Sequence, residues 1–406
     1  MSSQTRSRCP ACQARYQLSR ANLGHRTICL KCGGVFHLLP ASDQAPTIIP
    51  PGQESPADDL LVGRLWLDLR PGQIVAGRYR VVRPMGRGGL SLVSQMEDLE
   101  NSRRPLALKL PLPATLDRLP RRAFIDEAVA WLTPGLHPNL VGCDHVELFR
   151  NQPLIFQDFI DGHDLWTFMG LGRGPLYEGP EEAVLHRLLD SFIQIARGLA
   201  YAHSLGLSRL DIKPRNVLVE NGGRVLIGDY GPLSLPSANL AADQSRPASS
   251  QDATRFSSTR LLGTPQYFSP EAALGRSGPG PGDDLWALSL TALECFIGRR
   301  PWEMGSIAGQ ALEHYLAGPR PKAPIAPPLA DFFRRALADK IADRPQTARE
   351  VEEDLAAVYR KILRRPYPRP APPPRPEPEE RRRRRAAALQ ELGRAELIAE
   401  LGLPRP

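Results

Sequence analysis

Between Ser208 and Gly231 the sequence reads S-R-L-D-I-K-P-R-N-V-L-V-E-N-G-G-R-V-L-I-G-D-Y-G, and this stretch leaves the chain few ways to fold. Two apolar runs, Val217–Val219 and Val225–Ile227, flank the turn-forming Asn221-Gly222-Gly223, the pattern of a hairpin. The plain reading is a polar turn between two buried strands. The polar residues around it carry a second reading. Asp211, Lys213 and Asn216 stand in a D-x-K-x-x-N spacing, and Asp229 follows the second run. Asp229 and the side-chain oxygen of Asn216 are hard oxygen ligands of the kind Mg²⁺ accepts. Asp211 is suited to orient and deprotonate a hydroxyl, and Lys213 to neutralise charge on a transferring phosphoryl group.

Further motifs stand on both sides. Upstream, R-Y-R-V-V-R-P-M-G-R-G-G-L-S-L-V puts Gly86, Gly88 and Gly89 between two strand-like runs, Tyr79–Val82 and Leu90–Val93. Glycines let backbone N–H groups close over phosphates. The next apolar strand, P-L-A-L-K-L at 105–110, turns Leu106 and Leu108 one way and Ala107 and Lys109 the other. A lysine inside such a strand is costly unless paired. Arg121–Leu132 reads as a helix that carries two acids, Asp126 and Glu127. Adjacent helical residues point about 100° apart, so one of the two faces the strand. Downstream, Glu181–Leu205 places Leu185, Leu188, Leu189, Phe192, Ile195, Leu199 and Ala202 at helical spacing. Beyond the hairpin come Gly263-Thr264-Pro265, Ser269-Pro270-Glu271, Asp284-Leu285-Trp286 and Ala342-Asp343-Arg344-Pro345.

In this order the motifs resemble the protein kinases, and K-P after Asp211 resembles the serine/threonine branch, in particular bacterial eukaryotic-like (Hanks-type) kinases. The resemblance runs from about Arg78 to Arg360. It implies an α+β, bilobal fold with a β-rich N-lobe (about 78–160) and a helical C-lobe (about 161–363) in a kinase domain of 73–363. It also implies ATP and Mg²⁺. Gly86, Gly88, Gly89 and Val93 are then expected to cover the nucleotide, and Ala107 to line it. Lys109, locked by Glu127, is expected to set the phosphates, while Asp158 and Ile160 offer backbone groups to the adenine edge. Asp211, Lys213, Asn216 and Thr264 are the expected catalytic set, with Asn216 and Asp229 on Mg²⁺. Glu271 is expected to pair with Arg344, and Asp284 to brace the catalytic-loop backbone. The chain departs from the family in several places. Ser91 replaces the third glycine, Asp229-Tyr230-Gly231 replaces D-F-G, and the usual H-R-D becomes Arg209-Leu210-Asp211. Leu210 cannot do what an arginine there does for a phosphorylated activation segment, which argues against that mode of regulation, with Arg209 one position earlier as the alternative cation.

The N-terminus carries a different signal. Cys9, Cys12, Cys29 and Cys32 form C-x2-C-x16-C-x2-C, the spacing of a four-thiolate zinc site. It resembles short zinc ribbons, with Tyr16, Leu18, Leu23, Ile28 and Phe36 as a minimal core. Residues 1–40 are therefore expected to be a ribbon holding structural Zn²⁺. The alternative of two disulfides suits an exported protein, and no apolar signal core precedes the cysteines. Residues 41–72, rich in Pro, Asp, Gln and Gly, read as a flexible linker. Cys143 and Cys295 sit in apolar settings that suggest core packing.

Charge is concentrated at the ends. The net +8 comprises +6 in residues 1–40 and +6 in 361–406, leaving −4 to the residues between. The high pI is thus poor evidence for a nucleic-acid enzyme, although ribbon or tail binding to nucleic acid stays open. No apolar run of about 18 residues is present, so a cytoplasmic protein without membrane contact is expected. The tail, 364–406, carries P-Y-P-R-P-A-P-P-P-R-P at 366–376 and E-E-R-R-R-R-R-A-A-A-L-Q-E-L-G-R at 379–394. It reads either as a solvated tail or as a partner-binding helix with an arginine patch. Two functions compete for the whole: a kinase acting on Ser/Thr of protein substrates in bacterial signalling, and a pseudokinase scaffold that binds nucleotide and recruits partners through the ribbon. Retention of Lys109, Asp211, Asn216 and Asp229 together favours the first.

Overall fold

The computed structural model describes four strands within residues 4–37 and most of residues 69–405. In the latter span, residues 76, 88–90, 112–120, 150–151, 171–175, 209, 230–263, 276–279, 319–320, 372 and 374–375 are not described. Strands run in chain order β1 Gln4–Arg8, β2 Arg15–Ser19, β3 Arg26–Ile28, β4 Val35–His37, β5 Ile74–Val75, β6 Tyr79–Arg87, β7 Ser91–Asp98, β8 Arg104–Pro111, β9 Cys143–Phe149, β10 Gln152–Asp158, β11 Gly162–Asp164, β12 Val217–Glu220 and β13 Val225–Ile227. The longer described helices are α1 Arg121–Leu132, α2 Glu181–Ser204, α3 Pro281–Ile297, α4 Pro327–Ala336, α5 Ala348–Leu363 and α6 Glu379–Glu391. None of the described helices is long and apolar enough to cross a membrane.

The chain divides into two compact units. The first comprises residues 1–135, 142–159 and 377–406; the second comprises 136–141 and 160–376. In the first, β1 and β2 pair antiparallel, and an eight-stranded sheet runs in the order β4-β3-β5-β6-β7-β8-β10-β9. Strand β8 shows why this sheet buries one face: Leu106, Leu108 and Leu110 alternate inward and meet Tyr79, Val81, Met96, Leu154 and Phe156 in a single core. Leu69 joins this core from just before β5. Pro84 sits in β6 beside an irregularity of register with β7, where a residue without N–H does least harm. Helix α1 covers the sheet through β9 and β10 and buries Trp131 and Leu132.

The C-terminal tail behaves neither as a solvated tail nor as a free docking helix. Helix α6 packs on β9 and α1 of the same unit, with Arg381, Arg385, Ala386, Ala388, Leu389 and Leu392 buried. These positions form one helical stripe, and two of its members are arginines. Charge had disguised the buried face.

In the second unit α2 is the central helix. Its seven apolar positions named from the sequence are all buried, and Glu181 and Glu182 in its first turn complement the helix dipole. Helices α3 and α5 pack against it. Strands β11, β12 and β13 form a small antiparallel sheet beside α2. Helix α3 ends at Gly298, with φ of 81°, a conformation that glycine adopts without strain. The segment after α5 lies along this unit too: Arg197 donates to the carbonyls of Arg369 and Pro370, and Tyr367 to Asp190.

Glu271 and Arg344 form an ion pair of 2.6 Å with both side chains mostly withdrawn from water. Arg344 also donates to the carbonyls of Ala338 and Asp339 and lies over Trp286 at 4.5 Å. Removing one side of such a pair strands the other charge. Glu271→Ala is expected to cost about 3 kcal/mol, read as a fall in the thermal unfolding midpoint, whereas Glu313→Ala at the exposed Arg334 pair is expected to leave that midpoint almost unchanged.

Candidate active site

The second unit assembles its candidate residues on the loop between α2 and β12. Asp211 has a φ of 44°, a left-handed conformation that a non-glycine residue holds only when its surroundings enforce it. Two neighbours do so. Leu210 donates its N–H to Asp284 Oδ1 at 2.8 Å, and the other oxygen of Asp284 lies 2.9 Å from His203 Nε2 on α2. Asn216 closes the loop from the far side, its Nδ2 donating to the Asp211 carbonyl at 2.9 Å and to Asp211 Oδ2 at 3.1 Å. These two bonds engage the nitrogen of the Asn216 side chain and not its oxygen.

Thr264 joins the cluster from 53 residues away. Its hydroxyl accepts from Lys213 Nζ at 2.7 Å and donates to Asp211 Oδ1 at 3.2 Å. Lys213 also contacts Asp211 Oδ2 directly. Acid, ammonium and hydroxyl thus form a closed triangle, and each of its charged members retains about a fifth of its side-chain exposure, enough for a reactant to reach.

The hairpin fixes Asp229 relative to this loop. Gly228 donates its N–H to the Asn216 carbonyl at 2.7 Å, so the residues that open and close the hairpin are tied together. A Cβ on Gly228 meets Leu218 and the Asn216 carbonyl at 3.1–3.3 Å, which keeps the position small. The oxygens of Asn216 and Asp229 suit Mg²⁺ and not a thiophilic ion. No group of three or more His, Cys, Asp or Glu able to hold a metal occurs among the described residues.

Motif reading missed the support beneath this hairpin. Asn139 is buried, and its Nδ2 donates to the Val225 carbonyl at 2.8 Å and to Gln194 Oε1 at 3.1 Å. Gln194 Oε1 also accepts from the Val225 N–H. The only sequence signal was the turn His137-Pro138-Asn139-Leu140, whose asparagine gave no sign of its distant partners. His137 stacks on Tyr201 and its Nδ1 accepts from the Asn139 N–H at 3.1 Å.

In the first unit Lys109 Nζ lies 2.6 Å from Glu127 Oε1 and over the Trp131 ring at 5.5 Å. Register sets Val93 opposite Lys109 and Gly86 opposite Val93. Ala107 is buried on β8. Gly88 and Gly89 lie outside the described residues, as do Arg209, Tyr230, Gly231 and the cysteines Cys9, Cys12, Cys29 and Cys32. Asp158 ends β10. Its N–H donates to the Gly142 carbonyl, and its carboxylate takes Arg104 at 2.7 Å and both ends of Arg381 at 3.1 Å. Ile160 is buried in the second unit. Cys143 and Cys295 are both buried, and burial pushes both thiols up, away from nucleophilic use.

Residues 79–355, more than half of the chain, match the model of the protein kinase domain, and the chain belongs to that family. It is 30% identical over 297 residues to the probable serine/threonine-protein kinase PknB of Lactococcus lactis, covering 70% of this chain and 42% of that protein. It is 27% identical to the serine/threonine-protein kinase PrkC of Bacillus subtilis over 71% of this chain and 41% of the relative. The chain therefore spans about two-fifths of the length of these relatives. A crystal structure of the Mycobacterium tuberculosis PknI kinase domain, a double mutant, superposes with a TM-score of 0.51 at 25% identity, covering 72% of this chain and 99% of that one.

Burial lowers His137 from 6.5 to about 4, so the folded protein keeps it neutral where the unfolded chain would protonate it. Its contribution is complete above pH 6.5 and is lost as pH falls toward 4. Between pH 7 and 5 the melting temperature of the native chain is expected to fall further than that of His137→Asn, whose amide oxygen can take the Asn139 N–H without titrating.

Proposed function

We propose that this member of the protein kinase family transfers the γ-phosphoryl group of ATP to serine and threonine hydroxyls of protein substrates. The observation that carries this reading is the closed triangle of Asp211, Lys213 and Thr264. It presents a carboxylate to an incoming hydroxyl, an ammonium to the phosphate that hydroxyl attacks, and a threonine that shapes the acceptor site. Asp211 accepts the hydroxyl proton as the acceptor oxygen bonds to the γ-phosphorus and the bond to the β-phosphate oxygen breaks. Lys213 offsets the charge that spreads over the phosphoryl oxygens in that passage. Asn216 and Asp229 supply the oxygens to hold Mg²⁺, which neutralises phosphate charge when bound. In the first unit Lys109, held by Glu127, sets the phosphates; Gly86, Gly88 and Gly89 cover them, with Val93 and Ala107 against the base. Asp158 and Ile160 offer backbone groups to the adenine edge.

The N-terminal module we read as a zinc ribbon. What supports this is the placing of the cysteines between paired strands: Cys9 and Cys12 fall between β1 and β2, and Cys29 and Cys32 between β3 and β4. Each C-x2-C pair thus lies in the sequence between two strands that pair antiparallel, which is where a ribbon carries its metal ligands.

Phosphate transfer from labelled ATP with Mg²⁺, to the protein itself and to a generic basic protein, tests the first reading. Asp211→Asn is expected to lower kcat by about 10²–10⁴-fold with little change in KM for ATP, and Asp229→Asn to weaken the response to Mg²⁺. Mg²⁺-dependent nucleotide binding without any transfer by the native chain would replace this reading with a nucleotide-binding scaffold. For the ribbon, elemental analysis is expected to find about one zinc per chain, lost in Cys29→Ser. A metal-free protein with two N-terminal disulfides would sink it.

A further inference from the structure

Helix α1 carries Glu127, and its own sequence finishes its C-terminus only in part: the Thr133 hydroxyl donates to the Val129 carbonyl at 2.8 Å. Its last turn holds no basic residue, and Thr133-Pro134-Gly135 stops it with carbonyls that lack intrahelical partners. A cation comes from 253 residues away. The guanidinium of Arg385 on α6 donates from Nε to the Leu132 carbonyl at 2.7 Å and from Nη2 to the Thr133 carbonyl at 3.1 Å. It puts positive charge where the helix dipole favours it. Arg385 is only 5% exposed on its side chain, and Glu377 balances its charge through a direct contact. Arg381, one turn earlier, donates to the Cys143 carbonyl at 2.9 Å and spans both oxygens of Asp158.

A second grip lies half-way along α1. Arg394, just past α6, pairs with Asp126 at 2.5 Å. Asp126 is the immediate neighbour of Glu127, and the two point about 100° apart around the helix. Holding Asp126 on one side of α1 therefore fixes the rotation that aims Glu127 at Lys109, 2.6 Å away. The grip at Leu132 and Thr133 fixes the end of the helix, and Glu127 lies between the two points.

We propose that the C-terminal helix α6 serves in cis as a positioning element for phosphoryl transfer, with Arg394 and Arg385 holding α1 in the rotation that keeps Glu127 on Lys109. Neither arginine touches a reactant; both act through α1. This rests on the kinase reading above, but its test includes a readout that does not need catalysis.

The test uses the full chain and the partly exposed pair Asp126/Arg394, since charge changes at the buried Arg385 endanger folding. Arg394→Glu, Asp126→Arg and the double variant are compared with the native chain. Each is measured for kcat and KM for ATP, for hydrogen exchange of the α1 amides, and for melting temperature. Each single variant is expected to exchange its α1 amides about tenfold faster and to lose about tenfold in kcat. The double variant, which restores the pair with reversed signs, is expected to return to within about threefold of the native chain in both. Exchange in α1 and kcat that stay native in Arg394→Glu would overturn the proposal. So would losses that the double variant fails to recover, or losses that only follow a fall in melting temperature common to the whole chain. If the native chain transfers no phosphate, the kinase reading fails by itself, and the exchange pattern still decides whether α6 holds α1.

Discussion

An ammonium group carried on a strand and withdrawn from water needs a carboxylate within reach, and in this protein the need organises one whole side of the first unit. Lys109 occupies the face of β8 opposite the core leucines, with its side chain 8% exposed, and Glu127 answers it at 2.6 Å. An unpaired charge at that depth costs several kcal/mol, so α1 must lie where it does, turned as it is. The sheet, α1 and the C-terminal α6 are three successive layers of support for one ion pair. Trp131 beneath the ammonium adds an aromatic face of the kind cations favour.

The second unit solves a different problem by similar means. Its candidate base stands on a residue with positive φ, so the loop must be pinned by bonds to its backbone. Asp284 takes the Leu210 N–H, Asn216 takes the Asp211 carbonyl, and Gly228 takes the Asn216 carbonyl. These bonds hold the main chain, while the carboxylate of Asp211 takes Lys213, Thr264 and a second bond from Asn216. Asp284 needs the lever of α3 for this, and α3 is anchored by the burial of every residue from Asp284 to Phe296.

Much of this was legible in the sequence, and the reason is local. The polar residues of the loop are two to five positions apart, the hairpin has period two, and α1 and α2 have period near 3.6, so short windows contain the signal. Even the choice between Asp126 and Glu127 could be framed from helix geometry, although the sequence alone offered no account of what Asp126 does. What stayed hidden depends on partners hundreds of residues away that are backbone carbonyls. Arg381 and Arg385 sit in a run of five arginines, which by composition is a solvated face. The carbonyls of Leu132, Thr133 and Cys143, to which these two donate, leave no mark in a sequence. Asn139 was hidden for the same reason, since its Nδ2 donates to the Val225 carbonyl. Side chains that satisfy main-chain groups are the hardest to read, because one member of each pair is the same in every residue.

The replacement of arginine by Leu210 can be weighed in the same terms. A side chain at that position is asked for two separate things in this family: its backbone N–H braces the catalytic loop, and its guanidinium answers a phosphorylated segment. Leu210 is wholly buried, and its N–H still reaches Asp284. The backbone task does not depend on the side chain, so it survives the substitution, whereas the guanidinium's task is removed. Lys213 is a cation beside Asp211, and the backbone of the loop rests on Asp284, His203 and Asn216. Contacts present in the unmodified chain, those of Arg385 and Arg394 with α1, are the ones the structure offers for positioning Glu127.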